Sequence, residues 1–117
     1  MPYVDGFVIP IPRKNLKMYM KMARMGKRLW MKHGAVGYME CVGDDFKSPC
    51  GLPFPKALRV KAGETVLFSF IVFKSRAHRD AVNARVFKDP AMGAGPKAMP
   101  FDPKRFLYGG FRVLVGA

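Results

Sequence analysis

Four segments of the chain have the residue pattern of β-strands. They cover residues 3–9, 35–43, 65–73 and 106–115. The first two alternate apolar and polar side chains, which is typical of strands with two different faces. The third, TVLFSFIVF, is almost continuously apolar, which fits a strand buried on both faces or at a dimer seam. Prolines at positions 10 and 12 are expected to end the first strand.

Two helices are predicted between these strands. In the first, over residues 16–33, apolar positions recur at steps of three and four: Leu16, Tyr19, Ala23, Gly26 and Trp30. Asn15 is the expected N-cap of this helix. The second begins in SRAHRDAVNARV, where the Ser75 oxygen is placed to accept the amide of residue 77 or 78. Asp80 lies in its first turns, where a carboxylate complements the helix dipole.

Turn-forming residues mark the remaining connections. Residues 44–55 contain glycine, prolines and charges and are expected to be a loop, followed by a short extended piece near residues 56–61. AMGAGPKAMPFDPKR, which follows Pro90, has too much glycine and proline for a long helix or strand. The pair Gly109 and Gly110 in the last strand indicates a bulge or a close approach.

The order strand, helix, strand, strand, helix, strand is the split arrangement of ferredoxin-like folds. We therefore predict an α+β fold, in which residues 1–117 form a single domain with a βαββαβ sheet and helices on one face. The other face would expose a large apolar patch. A homodimer in which two sheets pack face to face would cover it.

Composition narrows the function classes. The 117 residues are 50% hydrophobic and carry a formal net charge of +13, which favours nucleic acid, anionic membranes or acidic metabolites as partners. The longest apolar stretch is too short to span a bilayer, and no signal-like leader is recognised, so a cytoplasmic protein is expected. Cys41 and Cys50 lack metal-site spacing and are expected to be free thiols.

Three titratable residues are the candidates for chemistry. His78 could carry a proton near neutral pH, or could only hydrogen-bond at the helix start. Asp5 and Glu40 lie within strands, where carboxylates are uncommon, and could act as acid and base or form salt bridges to residues such as Arg79 or Arg112. No metal site is predicted. The expected walls of a ligand pocket are Trp30, Tyr38 and Tyr108.

Six basic residues recur at steps of three or four along the first helix and its start, with no acidic residue between them. We call them the basic stripe: Lys14, Lys17, Lys21, Arg24, Arg28 and Lys32. Such a stripe is usually a solvated face. The alternatives are contact with nucleic-acid phosphates or with an anionic membrane. No motif for sequence-specific reading of RNA or DNA is present, so any such binding would be nonspecific and salt-sensitive.

Several separate segments, in order, resemble the bacterial domain-of-unknown-function family numbered 1428. They are YVDGFVIPIP, YMECVGDD, SRAHRDAVNARV, MPFD and YGGF. The resemblance runs over about residues 2–115. It implies a dimeric α/β barrel of the ferredoxin-like class, similar in architecture to the small antibiotic-biosynthesis and haem-degrading monooxygenases. The family carries no assigned activity.

Haem-degrading relatives would place an asparagine on the first strand, a tryptophan on the third and a histidine in the following helix. Here the matching places hold Asp5, an apolar position such as Phe70, and His78. Only the histidine is kept, which disfavours haem degradation. The leading hypothesis is a homodimer with a small-molecule pocket between sheet and helices, used for binding or for an enzymatic step whose cofactor is left open. The others are nonspecific binding of RNA or DNA through the basic stripe, and a structural or stress-associated dimer without a site.

Overall fold

The computed structural model describes residues 1–94 and 98–117, and Gly95, Pro96 and Lys97 of the glycine- and proline-rich loop lie outside this part. The strands are β1 (Tyr3–Pro12), β2 (Gly37–Val42), β3 (Glu64–Phe73) and β4 (Leu107–Arg112). The helices are α1 (Leu16–Lys32), α2 (Phe54–Ala57) and α3 (Arg76–Lys88). Short 3₁₀ turns occupy Arg13–Asn15, Pro90–Ala94 and Pro103–Arg105.

The four strands form one antiparallel sheet in the order β2-β3-β1-β4. This order, with α1 and α3 connecting the strands on one face, is the predicted α+β ferredoxin-like arrangement. β1 and β3 are central, and Asp5 is paired with Ile71 on one side and Gly110 on the other. Gly109 and Gly110 continue the β4 ladder in regular register, so no bulge is formed. The alternative, a close approach, is what the structure shows, because a methyl group built at Gly110 would collide with the Tyr3 hydroxyl.

The first strand is longer than predicted, because it continues through both prolines. The amide of Arg13 donates to the carbonyl of Gly63, next to β3. Alternating amides of a strand point to opposite edges, so those of Pro10 and Pro12 would face the other edge. β4 pairs with β1 only as far as Val8. The missing N–H groups therefore interrupt no ladder.

Two other local predictions are wrong. The Asn15 side chain does not cap α1; its amide donates to the carbonyl of Pro100, at 2.8 Å, and ties the helix start to the segment before β4. The expected extended piece near residues 56–61 is not formed, because Lys56 and Ala57 belong to α2, a single helical turn, and Leu58 and Arg59 form the turn that follows it. Pro55 lies in that first turn, where a missing N–H is tolerated. Ser75, in contrast, caps α3 as predicted, accepting the amide of His78 at 3.0 Å.

The core lies between the helices and one face of the sheet, in two clusters. One joins α1, α3 and the end of β3: Leu29, Ala35, Ile71, Phe73, Val82 and Val86. The other lies toward the opposite end: Ile9, Ile11, Tyr19, Leu67 and Phe101. The strand alternation produces this arrangement, since every second residue of β1 and β3 faces the helices.

Neither α1 nor α3 covers the second face of the sheet. We call it the open sheet face, and its large apolar side chains remain accessible to solvent: Met39, Phe68, Leu107 and Phe111. Phe68 is 45% exposed and Phe111 is 60% exposed. Phe54 of α2 packs edge-on against Phe68 and covers part of this face.

Candidate functional site

A cavity of about 710 Å³ lies between the sheet and helices α1 and α3, beside the packed core clusters. Apolar and aromatic side chains form most of its wall, and the segment after α3 contributes Met92, Met99, Phe101 and Phe106. The polar groups that face it come from the sheet and both helices: Asp5, Tyr19, Tyr38, Glu40, Ser69, Asn83 and Tyr108. The volume is within the range of about 300–1,000 Å³ usual for small-molecule sites.

The predicted pocket residues Trp30, Tyr38 and Tyr108 all line this cavity, as do Asp5 and Glu40. The two carboxylates do not lie on neighbouring strands, because β3 separates β1 from β2. With about 4.8 Å between adjacent strands, their backbones are roughly 10 Å apart or more. They therefore form two separate polar sites in one cavity.

Asp5 is the centre of the first polar site. Its carboxylate accepts a 2.6 Å hydrogen bond from Arg79 of α3, and the Arg79 guanidinium also donates to the Tyr108 hydroxyl at 3.2 Å and to Asp80 at 2.7 Å. The same guanidinium lies 4.9 Å from the centre of the Tyr3 ring. This is the salt bridge that the sequence allowed for Asp5, and it balances the buried charge.

Burial raises the pKa of Asp5 above its usual value, while the charge and hydrogen bond of Arg79 and a hydrogen bond from Asn83 act in the opposite direction. Burial also raises the pKa of the Tyr108 hydroxyl, with a further contribution from the Asp5 charge. Asn83 in turn accepts the indole N–H of Trp30 at 3.0 Å. The first site thus fixes the orientation of an aromatic wall as well as a charge.

Glu40 forms the second polar site together with two phenols. Its Oε1 accepts a 2.7 Å hydrogen bond from Tyr19 of α1, and its Oε2 accepts a 2.6 Å hydrogen bond from Tyr38, two residues before it on β2. Burial, reinforced by Glu40, raises the pKa values of both hydroxyls well above their usual range, and a hydrogen bond with Ser69 opposes this at Tyr19. Both phenols therefore remain hydrogen-bond donors.

Gly26 makes room for this arrangement. A methyl group built at its Cα would come within 2.6 Å of the Tyr38 hydroxyl. Glycine inside a helix costs about 1 kcal/mol relative to alanine. In the middle of α1 this cost is offset because the missing side chain leaves room for the Tyr38 hydroxyl beside Glu40. The sequence pattern assigned Gly26 and Tyr19 to the apolar helix face but did not reveal their relation to Glu40.

His78 is not among the residues that line the cavity. Its Nδ1 accepts the amide of Lys74 at 3.0 Å, its own amide donates to Ser75, and its ring packs edge-on against Phe73. These contacts are those of a residue that joins β3 to α3. Phe70 is paired with Gly6 and Met39 and so faces the open sheet face. The places matched to haem-degrading relatives therefore do not share one site.

The basic stripe lies on the surface of α1 and its start, with all six side chains exposed. Lys32 is 3.0 Å from the Asp89 carboxylate, which also lies 2.8 Å from Nε2 of His33. Asp89 thus joins the end of α1 to the end of α3.

The cysteines, the possible metal ligands and the helix lengths bear on other kinds of site. Cys41 and Cys50 are exposed and form no disulfide with each other. Over residues 1–94 and 98–117, no group of three His, Cys, Asp or Glu side chains is arranged to hold a metal ion. Within the same ranges, no helix has the length and apolar character needed to cross a membrane.

Sequence reasoning missed several cavity residues. Tyr19 was assigned to the core without a polar role, and Ser69 and Asn83 were not singled out. Ser69 carried a signal, because it is the one polar residue inside the apolar run of β3. Met99 and Phe101 belong to a segment without periodicity, so its sequence does not indicate that they reach the cavity.

The fold is of the α+β, ferredoxin-like class and has a cavity between its sheet and its helices. The chain belongs to the family described as "Protein of unknown function (DUF1428)", whose model matches residues 2–103. This confirms the resemblance drawn from the sequence.

Relatives agree with the family assignment, and a solved structure agrees with the fold. The chain is 36% identical over 115 residues to the uncharacterized protein YbaA of Escherichia coli strain K12, covering 98% of both chains, and equally similar to YbaA of Shigella flexneri. In fold it is similar to a dimeric ferredoxin-like protein from an uncultured marine organism, with a TM-score of 0.54 and 11% identity over the full length of both chains.

Proposed function

We propose that the protein binds a small, largely apolar molecule in the cavity between the sheet and helices α1 and α3. The observation that supports this is the combination of about 710 Å³ of space with aromatic walls and only two polar sites, each held by its own hydrogen bonds. Cavities of this character bind ligands by apolar burial and orient them by a few fixed polar groups.

The direct test is titration with N-phenyl-1-naphthylamine, a neutral dye that fluoresces in apolar surroundings. We expect saturable binding at one site per chain. Ala23→Phe fills the cavity from α1 and should weaken dye binding by about tenfold or more, equivalent to at least ~1.4 kcal/mol. Ala84→Phe, on the exposed surface of α3, is the matched control and should bind as the parent does.

Two further variants separate the cavity from other apolar surface. Met99→Trp fills the cavity from a non-helical segment, so it tests the same space if Ala23→Phe fails to fold. Phe111→Ser removes apolar surface from the open sheet face. If the dye lost affinity with Phe111→Ser and kept it with both cavity variants, the binding would be at the open sheet face and the proposal would be wrong.

We also propose that two copies of this chain pair through their open sheet faces. The support is the exposure of Phe68, Phe111 and Met39 on one continuous side of the sheet, since patches of this kind mark interaction surfaces. A two-fold dimer places the same patch on both partners and covers it twice. The similar marine protein is described as dimeric.

A further inference from the structure

Glu40 and Asp5 differ in how their charges are balanced. Asp5 lies 2.6 Å from Arg79, which supplies the compensating cation. No Lys, Arg or His of residues 1–94 and 98–117 forms a salt bridge with Glu40, whose hydrogen-bond partners are the neutral phenols of Tyr19 and Tyr38. A carboxylate facing an apolar cavity in this way is complementary to a cation.

We propose that the molecule bound in the cavity carries a protonated amine, which lies against Glu40 between Tyr19 and Tyr38. The inference rests on the proposed binding function and names the class of ligand: an amphipathic amine with an apolar or aromatic body and one ammonium group. Asp5 differs in this respect, because the Arg79 guanidinium already balances its charge.

The hydrogen-bonding capacity of the second site matches an ammonium group. Tyr19 and Tyr38 each donate to a different oxygen of Glu40, so each carboxylate oxygen keeps a lone pair for another donor. The phenol oxygens also accept. An ammonium group donates three hydrogen bonds and accepts none, so it matches these acceptors. A ligand carboxylate would instead bring a second negative charge beside Glu40.

Aromatic rings lie next to both phenols that bind Glu40. The Trp30 ring centre is 6.4 Å from that of Tyr38, and Phe101 is 6.1 Å from Tyr19. Aromatic faces attract cations at distances up to about 6 Å, and the same rings accommodate an aromatic ligand body.

The net charge of the protein opposes the binding of an amine. A net charge of +13 attracts anions and repels cations at long range. A preference for an amine over an otherwise identical acid would therefore run against the overall field and would have to originate locally.

The test compares three probes that share an indole body: tryptamine, which carries an ammonium group; tryptophol, which carries a neutral hydroxyl; and indole-3-acetate, which carries a carboxylate. Each is titrated calorimetrically at near-neutral pH and fixed salt. We expect tryptamine to bind about tenfold or more tightly than tryptophol, and indole-3-acetate to bind most weakly.

Glu40→Gln removes the charge and keeps the side-chain shape. It should lower tryptamine affinity by about tenfold or more and change tryptophol affinity by less than about threefold. Asp44→Asn, in an exposed position, changes the net charge equally and should change neither. Retained binding of the neutral dye shows whether the Glu40→Gln cavity is intact.

The outcomes separate the inference from the proposed function. If the neutral dye binds but tryptamine binds no better than tryptophol, or if Glu40→Gln weakens both indoles equally, the amine inference is overturned and the cavity still binds apolar molecules. If neither the dye nor any indole binds, the proposed function itself fails and the inference fails with it.

Discussion

The Arg79 guanidinium donates a 2.6 Å hydrogen bond to the carboxylate of Asp5, whose side chain is only 2% exposed. Removing one partner of a buried ion pair leaves an uncompensated charge, at a cost of about 3–5 kcal/mol. We therefore expect Arg79→Met to lower the free energy of unfolding by roughly that amount near neutral pH, measured by urea denaturation. Arg76→Met, on the exposed side of the same helix, is the control and should have little effect.

The pH dependence of this cost gives a second test of the pair. The pKa of Asp5 is raised in the folded protein, so the folded state binds more protons than the unfolded state, and stability from this group falls as pH rises from about 3.8 through the folded pKa. Without Arg79 the folded pKa rises further. The cost of Arg79→Met should thus shrink on acidification, and a cost that did not change with pH would contradict this account.

Local patterns in the sequence predicted most of the fold. Ser75 follows an apolar run and precedes a helix-forming one, which is sufficient to place an N-cap. The alternation of β1 and β2 placed Asp5 and Glu40 in strands. The continuation of β1 through Pro10 and Pro12 was not predicted, because it depends on β4 ending opposite Val8, which is a property of the pairing.

The site was predicted only in part, because its contacts join residues far apart in the chain. The Asp5 and Arg79 pair spans 74 positions, and composition could offer Arg79 only as one of several cations. Glu40 was expected to find a cation or a catalytic partner, and instead it binds Tyr19, 21 positions away. Neither helix periodicity nor strand alternation determines how α1 is set against β2.

Asp89 is expected to stabilise the protein at neutral pH and to lose this effect in acid. A hydrogen bond from His33, together with those from the Ala91 amide and Lys32, lowers the pKa of Asp89 below its usual value. The stabilisation is present above the unfolded value of about 3.8 and is lost as pH falls through the folded pKa. Asp89→Asn should lower the melting temperature at pH 7 and converge with the parent in strong acid. Asp44→Asn is the control, and an equal deficit at every pH would argue against this account.

His78 is expected to act in folding rather than in ligand binding. Its ring accepts the Lys74 amide, a hydrogen bond worth about 0.5–1.5 kcal/mol, and Ser75 caps the same turn for about 1 kcal/mol. His78→Ala and Ser75→Ala should each lower the free energy of unfolding by about those amounts and leave dye affinity within about twofold. A large loss of binding in His78→Ala, with little change in stability, would instead support a role in the site.

The proposed dimer depends on the open sheet face. Phe68→Glu and Phe111→Glu place like charges on both sides of a two-fold contact, and each should shift the protein from dimer to monomer in sedimentation equilibrium. Met20→Glu, on the exposed surface of α1, also introduces a carboxylate and should leave the dimer intact. A parent protein that is monomeric at high micromolar concentration would rule out this pairing.

Gly26 offers a test of the second polar site that separates geometry from helix stability. Gly26→Ala should gain about 1 kcal/mol of helix propensity, yet its methyl group would come within 2.6 Å of the Tyr38 hydroxyl and displace it from Glu40. We expect little net change in the free energy of unfolding, because the two effects oppose each other, and a loss of affinity for tryptamine.

Tyr38→Phe is the matched background, since it removes the hydroxyl that the new methyl group would contact. In that background Gly26→Ala should stabilise the protein by about the full helix increment of ~1 kcal/mol and leave ligand affinity unchanged. The double-mutant cycle measured by urea denaturation and tryptamine titration therefore reports the coupling directly. If Gly26→Ala had the same effect with and without the Tyr38 hydroxyl, the glycine would not be positioning that group, because non-interacting substitutions simply add.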